Sequence, residues 1–325
     1  DAYLLFPCSR SGLVCTHDTK EEPTVRILST SVLVLLFSSI AIAGDPTVEL
    51  KKNNDTVDIQ IGGEQFAVFN FSANLPKPFM YPVRGPGGTI LTREIEKEGD
   101  DHPHHKGVWV AVDEVNEIRF WAEKGKIKNV TVKPLTAKGN PAKLLVVNEW
   151  LGDDGKPVVT EKTIIGIYAN RLMTYDITFI AGAKSATFRD TKEGLFGFRM
   201  VDSMRENEGG HVVNAEGLKD TKNTWGKRSA WIDYYGKVDG KTFGVTLFDH
   251  PKNFRPSRYH VRNYGLFSIN PFGEKAYTRG ASEAAPEEVK PKSTLNLRYG
   301  LYIHAGDTKS AGVADVYQQF VKSGK

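Results

Sequence analysis

From residue 48 onward the chain keeps returning to a two-residue rhythm. Val57-Asp58-Ile59-Gln60-Ile61 alternates apolar and polar, turns at Gly62-Gly63, and returns through Glu64-Gln65-Phe66-Ala67-Val68-Phe69. Side chains two apart share one face of a strand, so this spacing predicts strands with one buried face and not helices. The same reading covers residues 108–112, 118–121, 127–132, 143–150, 158–168, 172–180, 195–200, 230–235, 242–248 and 295–304. Gly152-Asp153-Asp154-Gly155-Lys156 and Val238-Asp239-Gly240-Lys241 carry residues that tolerate the backbone of hairpin turns. Only residues 311–321 show helical spacing, with Val313, Val316, Tyr317 and Phe320 on one face. Many short strands joined by turns predict an all-β fold: a large antiparallel β-sandwich with a short C-terminal helix.

The first 43 residues stand apart. Arg26 precedes the apolar stretch 27–40, and Ala41-Ile42-Ala43 offers a small-x-small cleavage site before Gly44. That pattern predicts a secretory signal peptide behind an upstream extension, with residues 44–325 forming one β-sandwich domain. The stretch is short for a membrane span, and no later segment is apolar enough for one. A secreted or periplasmic location follows. Cys8 and Cys15 both precede the expected cleavage point, so the mature chain would lack disulfides, thiolate metal sites and cysteine nucleophiles. The formal charge is +4, and its Lys and Arg residues are scattered, which gives nucleic acid no footing. Phosphate-binding glycine loops, Gly-x-Ser-x-Gly and His-Glu-x-x-His are absent.

Chemistry concentrates in His102-Pro103-His104-His105-Lys106-Gly107, which holds three of the eight histidines. Histidine titrates near neutrality and ligates metals. Arg84 and Arg93 lie just upstream. Two cations with three imidazoles point to an anionic or polyhydroxylated ligand. A metal site is the alternative, with His102 and His104 projecting from one face of an extended segment and His250 recruited through the fold; no Glu follows at the expected nearby position. The rings could also serve only the loop backbone.

Glu193, before a glycine and a strand carrying Arg199, is the best carboxylate to act with His104 or His105 in acid–base chemistry. It could equally be a surface partner of Lys192. His250, at a strand end, and His260 are further binding candidates. Asn296, Arg298, Tyr302 and His304 share one face of the last strand, either lining a concave sheet or facing water.

The runs Tyr81-Pro82-Val83-Arg84-Gly85-Pro86-Gly87-Gly88, Leu91-Thr92-Arg93, Asp101 to Gly107, Trp109, Asp190 to Gly194, Phe248 to Asn253, and Tyr264-Gly265-Leu266-Phe267 leading to Asn270-Pro271-Phe272 together resemble a secreted bacterial family. It is common in planctomycetes and often carries the label "methane oxygenase PmoA". The architecture is similar to the galactose-mutarotase-like supersandwich. That resemblance implies a sugar in a concave sheet, a His as general acid, a carboxylate as general base, and Arg and His groups holding the ligand. It makes His104, His105 and Glu193 the catalytic candidates. Arg84, Arg93, His102, Arg199, His250 and His260 become the sugar-binding candidates. No cofactor is expected on this reading. The competing readings are a metal-dependent oxygenase or hydrolase, taking a divalent metal on His102, His104 and His250, and a non-catalytic carbohydrate-binding module.

Overall fold

A computed structural model of the chain describes residues 46–95 and 101–323. The apolar N-terminal stretch, its cleavage point and both cysteines lie outside the described residues.

The strands follow the alternation. Thr56–Ile61 buries Val57, Ile59 and Ile61 and pairs antiparallel with Glu64–Asn70. The reversal is made by Gly62 and Gly63, with φ of 58° and 84°, where a Cβ would be strained. Among the described residues three sheets form. The largest has nine strands, in the order Arg258–Val261, Leu266–Asn270, Phe196–Arg199, Val108–Val110, Phe79–Val83, Glu64–Asn70, Thr56–Ile61, Val48–Lys52 and Lys138–Gly139. The second has eight: His211–Asn214, Trp231–Val238, Lys241–Asp249, Thr294–Ala305, Leu172–Ala181, Pro157–Ile167, Ala142–Leu151 and Ile127–Thr136. A four-stranded sheet joins Glu287–Val289, Ala186–Phe188, Glu114–Val115 and Ile118–Arg119. The two large sheets meet through side chains. Phe196 packs on Tyr175 at 4.3 Å and on Tyr299 at 6.3 Å, and Tyr234 on Phe267 at 6.1 Å, between ring centroids. The architecture is thus an all-β antiparallel sandwich with a short C-terminal helix.

Some elements depart from the expectation. The strand expected over 118–121 ends at Arg119, because Phe120 and Trp121 turn inward and donate their amides to Asp113 and Val112. Leu266–Asn270 is buried on both faces, so no alternation marks it. The helix Val313–Lys322 buries Val313, Val316 and Phe320 against Phe248 on the eight-stranded sheet. It covers part of the polar face of Thr294–Ala305. Asn296 stays exposed, Arg298 pairs with Asp176, Tyr302 reaches the Ala311 carbonyl, and His304 is buried. That face is therefore neither a continuous ligand-binding row nor a plain solvated surface.

Candidate functional site

The strand Val108–Val110 lies inside the nine-stranded sheet, between Phe79–Val83 and Phe196–Arg199. The histidine run forms the turn that enters it. The His105 amide closes the turn on the His102 carbonyl at 3.0 Å. Gly107 makes the close approach possible: its φ is 56°, and a Cβ there would stand 2.1 Å from the Met80 carbonyl oxygen. From the other side Lys77 Nζ donates to the His104 carbonyl at 2.8 Å. Lys77 is itself buried and paired with Glu123, which also takes Lys106 Nζ at 3.1 Å. Burial lowers the Lys77 ammonium to about 8, against the pull of Glu123.

The turn builds a column of rings. Tyr264 stacks on His102 at 5.3 Å, His102 on His105 at 4.8 Å, and His105 on Trp109 at 5.4 Å, with interplanar angles of 6°, 4° and 16°. His104 meets His105 edge-on at 4.4 Å, and Trp121 closes the far side of His105 at 5.6 Å. Burial holds the His104 imidazole down at about 4, helped by Lys77 and His102. His105 is driven down further by the same cause. Both rings are therefore neutral near pH 7. Neither ring nitrogen of His105 has a hydrogen-bond partner, and the indole nitrogens of Trp109 and Trp121 beside it have none either.

Next to the column Asp101 gathers the arginines. Its Oδ1 accepts from Arg93 Nη1 at 2.8 Å and Arg199 Nη2 at 2.9 Å, and its Oδ2 lies 3.1 Å from His102 Nδ1. Burial would raise the Asp101 carboxyl, but Arg199 and His102 outweigh it and hold the group below its ordinary value.

Glu193 sits on a clamped loop: the Glu193 carbonyl takes the Asp113 amide at 2.8 Å, and the Lys192 carbonyl takes Tyr277 Oη at 2.6 Å. Glu193 Oε2 stands 3.4 Å from His260 Nδ1, and Oε1 stands 3.6 Å from Lys192 Nζ. The first distance is a contact without good hydrogen-bond alignment, since His260 Nδ1 has no hydrogen-bond partner. Burial would raise the Glu193 carboxyl, but His260 and Lys192 outweigh it and keep the group ionised. Through the Asp113 amide its loop is tied to the chain just past Val108–Val110, the strand that the histidine turn enters.

Residues 56–318 match a family described as "Family of unknown function (DUF6807)". The chain belongs to this family. The DUF6807 match contains every residue of the cluster. No curated protein matches this chain. Among solved structures it is similar to a galactose mutarotase related enzyme from Lactobacillus acidophilus, with 11% identity, 79% of this chain and 97% of that chain covered, and a TM-score of 0.40. Galactose 1-epimerase from Lactobacillus acidophilus NCFM gives 7% identity, 80% and 98% coverage and a TM-score of 0.41. An alpha-galactosidase from Lactobacillus brevis gives 10% identity, 84% of this chain, 42% of that chain and a TM-score of 0.44. The DUF6807 chain thus spans about two fifths of the galactosidase's length. These scores carry nothing about what the chain binds.

The fold gathers His102, His104, His105, Arg93 and Arg199 at the turn, sets Glu193 against His260, and leaves two candidates out. Arg84 donates Nη1 to the Gly88 carbonyl at 2.9 Å, so it stabilises its own glycine turn. His250 packs on Phe320 of the C-terminal helix and lies 3.4 Å from the Val321 carbonyl. It directly follows Lys241–Asp249 of the eight-stranded sheet and faces that helix, so the trio His102, His104 and His250 does not assemble as a metal site. Among the described residues no group of three or more His, Cys, Asp or Glu side chains is placed to hold a metal ion. His260 is buried behind Glu193 and positions that carboxylate. A neutral His104 also departs from the role of a resting general acid. Asp101, Tyr264, Lys77, Glu123 and Trp121 were not among the candidates. Asp101 could have been found, because it directly precedes His102. Lys77 and Glu123 meet only through the fold, 46 residues apart.

Proposed function

We propose that this chain binds a carbohydrate at the histidine turn and carries acid–base chemistry there, with Glu193 as the base and His104 as the acid. The observation that carries this reading is the set of neutral imidazoles on one clamped turn beside Arg93, Arg199 and the carboxylate of Asp101. Neutral imidazole offers one donor and one acceptor, carboxylate two acceptors and guanidinium several donors, a set suited to a polyhydroxylated ligand.

One observation favours the binding-module reading. An efficient acid–base group titrates near its working pH, whereas His104 and Glu193 both lie on the acid side. Turnover therefore belongs at acid pH, where His104 takes up its proton and becomes the acid. The test is a panel of free sugars and glycosides, followed by NMR from pH 4 to pH 7 for both binding and conversion. Binding with conversion that Glu193→Gln abolishes supports the enzyme. Binding without conversion supports the module, and no binding to any sugar sinks both. The apolar stretch before Gly44 supports an exported location for this activity, for which the check is an N-terminus at Gly44 in exported protein.

A further inference from the structure

We propose that Asp101 occupies a seat shaped for the carboxylate of an acidic sugar, so that a uronate binds by displacing the chain's own side chain. The proposal rests on the carbohydrate reading only in taking the ligand's body to be a sugar.

The seat is built from the inside. Arg199 is fully buried, at 0% exposure, whereas the Asp101 side chain that faces it is 54% exposed. A guanidinium taken out of water needs an anion, and removing that anion is costly. Here the fixed member is the cation and the solvent-facing member is the anion, so the anion is the exchangeable half. Asp101 also uses the seat incompletely. It reaches Arg199 through Nη2 alone, while Nε and Nη1 of Arg199 are buried with no hydrogen-bond partner. Guanidinium and carboxylate pair best as two parallel hydrogen bonds. A carboxylate tied to the backbone at residue 101 does not make that pairing, and a free one is not so restricted. His102 Nδ1 would hold the second oxygen, as it now holds Asp101 Oδ2.

The position of the seat argues for a sugar acid over a simple anion. Arg199 lies 4.9 Å from the Tyr264 ring centre, Tyr264 stacks on His102 at 5.3 Å, and the His104 ring stands 5.8 Å from His102. The seat therefore adjoins the column of rings. A pyranose carrying its carboxylate in the seat would extend its ring carbons and hydroxyls toward His102 and His104.

The test uses the full chain, wild type and the variants Asp101→Ala and Asp101→Asn. Titration calorimetry and thermal melting are run with D-glucuronate, D-glucose and acetate at matched ionic strength. Asp101→Ala is expected to bind glucuronate about tenfold tighter than wild type, the worth of one charge-assisted contact no longer contested. Glucuronate should raise its melting temperature, and glucose should not. If Asp101→Ala does not fold, Asp101→Asn, which keeps the shape but loses the charge, must show the same gain. Equal affinity for glucuronate and glucose in both variants overturns the proposal. So does acetate binding as tightly as glucuronate, which would make the seat a plain anion site. If neutral sugars bind while glucuronate shows no preference, this inference alone fails. If neither sugar binds wild type or variant, the carbohydrate reading fails with it.

Discussion

His102 and His105 stack face to face, with centroids 4.8 Å apart and planes within 4°. His105 is nearly inaccessible to solvent and hydrogen-bonds through neither nitrogen. A histidine kept for the fold would have partners, because an unmade buried hydrogen bond costs about 1–3 kcal/mol. His105→Phe keeps the ring in the column and removes the stranded polar atoms. Its melting temperature should equal or exceed that of wild type, while sugar affinity is lost. A large fall in melting temperature with affinity intact would assign His105 to structure.

Gly107 is the tightest point of the turn. An alanine there meets the Met80 carbonyl oxygen at 2.1 Å on a backbone with φ of 56°. Gly107→Ala should cost clearly more than 1 kcal/mol in denaturant unfolding, since both the clash and the positive φ oppose it. Gly155, also at positive φ but with nothing within 4 Å of a Cβ, is the control. Gly155→Ala should cost only the backbone strain. Equal losses for the two variants would refute the close-approach argument.

The strands were legible wherever one face meets the core and the other meets water, as in Thr56–Ile61. The rule fails where both faces are covered. Leu266–Asn270 is buried throughout and has no rhythm to read. The site was legible where its residues are neighbours in sequence. His102, His104 and His105 are joined by one turn, and Glu193 stands beside the glycine that leads into its strand. What no local pattern could reveal are pairings made by sheet order. His260 reaches Glu193 because Arg258–Val261 and Phe196–Arg199 both flank Leu266–Asn270. His250 looked equivalent to His260 in sequence, yet the crossover to the eight-stranded sheet carries it to the C-terminal helix.

Glu161 is a buried carboxyl in the eight-stranded sheet. It accepts from Thr163 Oγ1 at 2.7 Å, Trp150 Nε1 at 3.0 Å and Asn148 Nδ2 at 3.3 Å. Burial raises its pKa, with those three donors opposing. Glu161→Gln keeps one oxygen for Trp150 and Asn148, and its amide can donate to the Thr163 hydroxyl. That variant should stay within about 1 kcal/mol of wild type, a typical hydrogen bond's net worth. Glu161→Leu strands all three donors and should lose several times as much, at roughly 1–3 kcal/mol for each group left unmade. Equal stability of the two variants in urea would show that the donors find other partners.

The histidines make stability depend on pH in two opposite directions. His104 titrates at about 4 in the folded chain against 6.5 for an unperturbed imidazole. The unfolded chain therefore takes up a proton that the folded chain refuses, and stability falls as pH drops from 6.5 toward 4. His104→Phe should make this limb shallower above pH 4.5, leaving the share of His105, which burial holds down further. His304 behaves in reverse. Burial would lower its pKa, but Asp233, 3.0 Å from Nε2, outweighs burial and raises it. Its contribution is fully present below 6.5 and is lost as pH rises through the folded value. His304→Gln should therefore lose most stability at pH 6 and least at pH 9. Urea unfolding of both variants and wild type between pH 4.5 and 9 measures each limb separately. A His304→Gln penalty that stays constant across this range would mean that the Asp233 contact does not depend on the charge of the imidazole.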